Sequence, residues 1–176
     1  MSDSAPPAPG PNGGGAPPPQ AAAPAVGPIM VNVQYTKDLS FEVPGAPEVF
    51  AQLREQPRVD VGLDVQVQPL GGGNVFEVTL QIRCDAKAAG DLTVFIAELS
   101  YCAIVTLNVP QEAVEPVLLV EVPRLLFPFA RSILADATRD GGFAPVLLTP
   151  IDFVALWQAR RAQGAPPAPP GGAMLA

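Results

Sequence analysis

The sequence contains no histidine. This absence removes the commonest general base and metal ligand in proteins, together with every catalytic triad that relies on an imidazole. Two carboxylate pairs, Asp38 with Glu42 and Asp60 with Asp64, are the remaining candidates for acid–base chemistry. Because exposed strand faces routinely carry such residues, we interpret both pairs as a solvated or partner-binding face. We therefore expect a protein that is not an enzyme.

Cysteine is also scarce, with Cys84 and Cys102 as the two copies. Two cysteines do not make a disulfide framework, and without histidine they rarely suffice for zinc. The glycine run 71–73 is followed by Asn74 where a phosphate-binding loop needs Lys and Ser or Thr, so it indicates a turn. We expect neither a metal nor a nucleotide cofactor.

Positive charge is limited, since 10 Lys and Arg stand against 17 Asp and Glu, for a net charge of −7. Nucleic acid is an unsuitable partner for such a chain, because phosphate binding requires a basic surface. An acidic surface suits a basic protein partner or a basic unfolded segment. Solubility alone explains the charge equally well and stays open as an alternative.

Long hydrophobic runs are missing as well. No segment reaches the roughly 18 apolar residues of a membrane-spanning helix, and the first residues lack the cationic and apolar regions of a signal peptide. We expect a cytoplasmic protein with no membrane insertion.

Proline is abundant, but its distribution is uneven. Of 23 prolines, nine lie in residues 1–28 and four in residues 164–176. The sequence predicts a disordered Pro/Ala/Gly-rich extension over 1–28, a folded domain over 29–163 and a disordered tail over 164–176.

The folded part begins with alternating apolar and polar residues, which predict four strands. Apolar side chains occupy the odd positions of 29–43, apart from Lys37, and a strict alternation recurs over 59–67 and 76–84. The fourth strand, 92–107, is apolar on both faces, so it needs cover on both. We expect that a lone subunit exposes Phe95, Leu99 and Tyr101, and that a second subunit covers them.

Helical patterns follow the strands. The sequence predicts a short helical turn at 48–54, helices over 112–122 and from Pro123 to Arg139, and a last helix capped by Thr149. The glycine pair 141–142 is expected to end the long helix. Four strands followed by helices predict an α+β fold, with the helices on one face of the sheet.

Three segments in this order resemble the SecB family of bacterial protein-export chaperones. Residues 35–47 (YTKDLSFEVPGAP) resemble its first strand and turn, 126–131 (LFPFAR) the start of its long helix, and 148–156 (LTPIDFVAL) its last helix. The resemblance covers about residues 29–162. The chain departs from the family at Glu55, where an aromatic residue often precedes the Gln-Pro pair.

The resemblance implies a four-stranded antiparallel sheet followed by two helices packed on one face. It also implies a homotetramer, a dimer of dimers, that binds unfolded precursor proteins, keeps them translocation-competent and delivers them to the ATPase SecA. It implies SecA contacts at Asp38, Glu42, Ile96 and Glu98. It implies subunit contacts at Ala97, Leu99 and Tyr101. Residues expected beside the client groove are Phe50, Leu53, Phe143 and Trp157. Ordinary core packing explains each of these side chains equally well and stays open as an alternative.

Chaperoning of this kind requires no ATP, in keeping with the missing phosphate loop. The alternative is an oligomeric β-protein that carries a small hydrophobic ligand. A ligand carrier would bind one small molecule at a fixed stoichiometry, whereas a chaperone would bind many unrelated unfolded chains and ignore their folded forms.

Overall fold

The computed structural model of the chain describes residues 27–164. Its four strands are β1 (Ile29–Glu42), β2 (Arg58–Pro69), β3 (Val75–Lys87) and β4 (Thr93–Leu107). Its helices are α1 (Glu48–Gln52), α2 (Gln111–Pro116), α3 (Val122–Asp140) and α4 (Phe153–Ala162). The predicted order of strands and helices is confirmed, whereas the proposed disordered ends lie almost wholly outside the described residues.

The four strands form one antiparallel sheet in the order β1-β4-β3-β2. The helices pack on one face, here called the inner face, and the main hydrophobic core lies between them and the sheet. The opposite face is called the outer face. Strands β1 and β2 are the two edges of the sheet, and both take part in the sites described below.

Strand β1 differs from the predicted alternation. Its register against β4 shifts between Val31 and Val33 and again between Thr36 and Asp38. Each extra residue turns the following side chains to the opposite face. Tyr35 therefore pairs with Cys102 on the outer face, and the expectation that Val33 and Tyr35 share a face with the strand's other odd residues is wrong.

The expectation that a lone subunit exposes β4 is also wrong. In the single chain the exposed fraction is 1% for Phe95, 2% for Leu99 and 8% for Tyr101, and Ala97 is fully buried. The helical layer of the same chain already covers the inner face of β4. The roles of Ala97, Leu99 and Tyr101 in subunit contact stay predictions, and Tyr101 is the one of the three nearest the surface.

Residues 111–140 form one continuous helical run, so the expected break at Pro123 is wrong. A π-helical turn, Val117–Glu121, joins α2 to α3. Pro123 has no N–H to donate to the carbonyl of Leu119 in that turn. The wider π-helical turn accommodates this missing hydrogen bond without ending the helix. The chain thus keeps its direction across the inner face.

The ends of the helices are set by Asp152 and by the glycine pair. The carboxylate of Asp152 accepts hydrogen bonds from the N–H groups of Val154 and Ala155, both at 3.0 Å. Asp152 is therefore the N-cap of α4, and the expected cap at Thr149 is wrong, because a residue next to the first turn reaches its free donors. The prediction that Gly141 and Gly142 end α3 is confirmed.

Gly141 allows a close approach between α3 and β1. A Cβ atom at this position would lie 2.1 Å from Cε1 of Phe41, whose ring is packed against Phe95 and Phe143. We predict that Gly141→Ala lowers the free energy of unfolding by about 1–3 kcal/mol through overpacking. Urea unfolding measures the change.

Gly62→Ala is the matched control, because a Cβ there meets no atom within 4 Å. Equal stability losses for the two variants would contradict the proposed packing.

Candidate functional site

Four phenylalanines from four parts of the chain form one aromatic cluster. Phe41 comes from β1, Phe50 from α1, Phe95 from β4, and Phe143 from the segment after α3. The ring centroid of Phe143 lies 5.0 Å from that of Phe95 and 5.1 Å from that of Phe50. Phe95 is 1% exposed but Phe50 is 47% exposed, so the cluster extends from the core to the surface.

A cleft of about 760 Å³ opens beside this cluster and is here called the aromatic cleft. Its walls are α1 and the loop after it, the start of β2, and the segment between α3 and α4. Phe50, Leu53 and Phe143, three of the four residues predicted beside the client groove, line it together. Further apolar residues that were not predicted to line it are Pro57, Val59, Val61, Phe95, Ala144, Pro145, Val146, Leu147, Leu148 and Ile151.

Thr138 anchors the cleft wall between α3 and α4, which was not predicted from the sequence. Its side chain is fully buried in α3, and its hydroxyl accepts a hydrogen bond from the N–H of Val146 at 3.0 Å. The same hydroxyl lies 2.9 Å from the carbonyl oxygen of Leu134, to which it donates. A lone threonine on the apolar side of a predicted helix is the signal that could have revealed this anchor, because buried hydroxyls need partners.

Trp157 lies in a second cleft, not in the aromatic cleft. Its indole Nε1 donates to Oε1 of Glu115 at 3.0 Å, and the guanidinium of Arg161 lies 5.2 Å from its ring centroid. This Trp157 cleft has a volume of about 600 Å³ and borders the other end of β2 at Val65 and Val67. The structure therefore separates Trp157 from the three other residues expected beside the groove.

The outer face brings together the four residues expected to contact SecA. In the register of β1 and β4, Glu42 pairs with Ile96, Ser40 with Glu98, and Asp38 with Ser100. All of these side chains lie on the outer face, and Asp38 and Glu42 are exposed. Two of the four residues thus present exposed carboxylates along the β1 edge.

Glu98 has a local partner. Arg83 on β3 pairs with Glu98 and also with Asp85, whose Oδ1 lies 2.8 Å from Nη2 of Arg83. The carboxylates of Asp85 and Glu98 raise the pKa of Arg83, and Arg83 lowers the pKa of Asp85. Because these side chains are about a third to a half exposed to solvent, the pairs add little stability. Arg83 neutralises part of the acidic surface near β3.

Beside the β1 bulge, three side chains form a polar cluster on the outer face. Glu77, which is 8% exposed, accepts hydrogen bonds from the hydroxyl of Tyr35 and, at 2.9 Å, from Nζ of Lys37. Donation from Tyr35, followed by donation from Lys37, lowers the pKa of Glu77 from its ordinary value of 4.5. The bond to Glu77 raises the pKa of Tyr35 to about 12.

This cluster predicts a pH dependence of stability. A carboxylate whose pKa is lower in the folded state stabilises the fold above its ordinary pKa, and this contribution disappears as pH falls through the folded value. We therefore expect wild type to lose stability below about pH 4.5 more steeply than Glu77→Gln. Urea unfolding at a series of acidic pH values measures both slopes, and identical slopes would contradict the role of Glu77.

Two further findings concern the described residues 27–164. No helix among them is both long and apolar enough to cross a membrane. The same part of the chain holds no cluster of three or more cysteine, aspartate or glutamate side chains arranged to bind a metal ion.

Comparisons with known proteins agree with this architecture. The family model described as preprotein translocase subunit SecB matches residues 21–164. The protein-export protein SecB of Granulibacter bethesdensis is 65% identical over 143 residues, which are 77% of this chain and 84% of that relative. The SecB of Acidiphilium cryptum is 58% identical over 152 residues, covering 78% of this chain and 92% of its own.

Among solved structures, the fold is similar to that of a SecB-like chaperone from Mycobacterium tuberculosis in complex with a ChAD peptide of the HigA1 antitoxin. The TM-score is 0.57 at 15% identity, and the match covers 70% of this chain and 90% of that one. At this identity the likeness shows a shared fold. Together with the family model and the closely similar relatives, it establishes that this chain belongs to the SecB family.

Proposed function

We propose that this chain is an ATP-independent molecular chaperone of the cytoplasm that binds unfolded precursor proteins, keeps them competent for export and delivers them to SecA. Members of the SecB family are chaperones in protein export, so the chain acts by binding and not by catalysis. The observation that carries the proposal is the aromatic cleft, an open apolar surface beside an edge strand.

The chemistry of the cleft suits an unfolded chain. Such a chain has no fixed shape, and it offers scattered apolar side chains and an unpaired backbone. The half-exposed Phe50 and the exposed Val61 and Leu147 provide apolar area without a closed pocket. Exposed apolar surfaces of this kind are typical of binding sites, and several weak contacts along one chain add to a high total affinity.

Binding of a single protein in its two states tests the proposal. A protein kept unfolded by reduction and carboxymethylation should bind this chain, and its native form should not. Equal binding of both forms, or binding of neither, would overturn the proposal. Binding of a small hydrophobic molecule at a fixed stoichiometry, without binding of the unfolded protein, would favour a ligand carrier.

Delivery to SecA is proposed on the basis of the outer face. Asp38 and Glu42 are exposed on one edge, Ile96 adds an apolar side chain, and Glu98 stands beside them. A mixed acidic and aliphatic surface suits a partner that presents basic groups around an apolar centre.

A homotetramer is proposed on the basis of exposed apolar residues near Tyr101. The ring of Phe129 is 52% exposed and stacks on Tyr101 at 6.2 Å between centroids. Leu125, one turn earlier in α3, and Leu39, on the inner side of β1, are 45% and 44% exposed. Subunit association would remove these apolar side chains from water.

A further inference from the structure

Strand β2 has one edge that no other strand of the described residues 27–164 covers. The N–H of Leu70 donates to the carbonyl of Val75 at 2.9 Å, just beyond the last β2–β3 pair. Hydrogen-bonded and non-hydrogen-bonded pairs alternate along an antiparallel ladder. The even-numbered residues of β2 are therefore bonded to β3, and the odd-numbered residues direct their N–H and C=O groups away from the sheet.

Arg160 occupies this edge at one point. Its Nη1 donates to the carbonyl oxygen of Val65 at 2.8 Å, and its Nη2 lies 3.1 Å from Oδ1 of Asp64. The contact with Val65 independently supports the outward direction of the odd-numbered groups. Arg160 belongs to α4, so this helix is attached to the sheet edge through a charged side chain.

The position of Arg160 divides the edge into two parts. Val59 and Val61 lie on one side and line the aromatic cleft, whereas Val67 and Pro69 lie on the other side and line the Trp157 cleft. Within residues 27–164, no hydrogen bond outside the strand ladders reaches the N–H or C=O of Val59, Val61 or Leu63.

We propose that Arg160 is a positioning residue that ends the pairing edge of β2, so that a bound extended polypeptide pairs with Val59–Leu63 beside the aromatic cleft and does not continue into the Trp157 cleft. Extended peptides add to exposed sheet edges through main-chain hydrogen bonds. A chain that continued past Leu63 would have to displace Arg160 from the Val65 carbonyl. This inference rests on the proposed function.

Residue-resolved amide hydrogen exchange tests the proposal, with a 20-residue peptide of alternating apolar side chains as the probe. In wild type, the peptide should slow exchange at Val61 and Leu63 at least about tenfold and leave Val65 and Val67 unchanged. In Arg160→Gln, the protection should extend to Val65 and Val67. Arg161→Gln is the matched control, because Arg161 is the neighbouring arginine of α4 and its guanidinium lies over Trp157. This variant should behave as wild type.

Three outcomes are decisive. Identical protection in wild type and Arg160→Gln, or peptide binding without protection of β2, would overturn the role of Arg160. Failure of the peptide to bind either protein would instead overturn the proposed function. If Arg160→Gln does not fold, Asp64→Asn removes the ion pair alone. That variant should then show partial protection of the Val65 amide, and unchanged exchange at Val65 would overturn the proposal.

Discussion

Replacing Phe50 with aspartate is expected to weaken the binding of a short unfolded peptide about 10- to 100-fold, because the burial of one phenylalanine ring is worth about 1.5–3 kcal/mol. Phe50 is 47% exposed, so much of its ring is available to a client and its loss costs the fold little. The charge also places an unfavourable group against Phe143, 5.1 Å away between ring centroids. Fluorescence anisotropy with a labelled peptide measures the affinity.

Phe129→Asp is the matched control for this experiment. Phe129 is 52% exposed and stacked on one ring, as Phe50 is, but it lies beside Tyr101 and away from the aromatic cleft. We expect this variant to lower the association state in light scattering and to leave the affinity for a peptide confined to one cleft unchanged. If both variants weaken peptide binding equally, the assignment of the two surfaces is wrong.

The second large effect is expected at the outer face. Asp38→Lys should weaken binding to SecA about tenfold at low ionic strength, and the difference from wild type should shrink as salt is added. Asp38 is exposed on an edge strand beside Glu42 and Glu98, so the substitution places a positive charge within the acidic surface. Surface plasmon resonance at several salt concentrations measures this dependence.

Glu112→Lys provides the control with the same change in net charge. Glu112 is exposed in the first turn of α2, away from the outer face. It should leave SecA binding near the wild-type value, and both variants should bind unfolded peptide normally. Equal losses of SecA affinity in the two variants would show that net charge, and not the outer face, governs the interaction.

Much of the sheet was predictable from the sequence, because burial of one face imposes a period of two on each strand. The alternation over 59–67 and 76–84 places the inner residues of β2 and β3 correctly, as their register shows. The alternation fails in β1, where each of two bulges moves the following side chains to the opposite face of the sheet. Lys37, which interrupts the apolar series, lies at the second register shift, between Thr36 and Asp38. This interruption was the sign of the shift in the sequence.

The aromatic cleft was only partly predictable. Phe50 and Leu53 meet Phe143 there because two segments far apart in the sequence fold together, and the family resemblance supplied that connection. Trp157 does not join them, because its ring lies against Glu115 and Arg161 beside the other end of β2. No local pattern reveals such a separation, since it depends on where α4 crosses the sheet edge.

The apolar pattern of β4 did not by itself predict the subunit contacts. A strand that is apolar on both faces needs cover on both, but in β4 the chain's own helices supply the inner cover. The outer side of β4 is covered in part by its neighbours, since Cys102 is fully buried and lies 3.2 Å from the hydroxyl of Thr79. The sequence shows that cover is needed but not which part of the molecule provides it.

Refolding of a slowly folding protein in the presence of this chain tests the central claim most directly. A chaperone that binds the unfolded form withdraws it from folding by mass action, without nucleotide. We predict that a stoichiometric amount of the chain delays refolding and suppresses aggregation, with no change on addition of ATP. Undelayed refolding at a molar excess of the chain, or a response to ATP, would contradict the account.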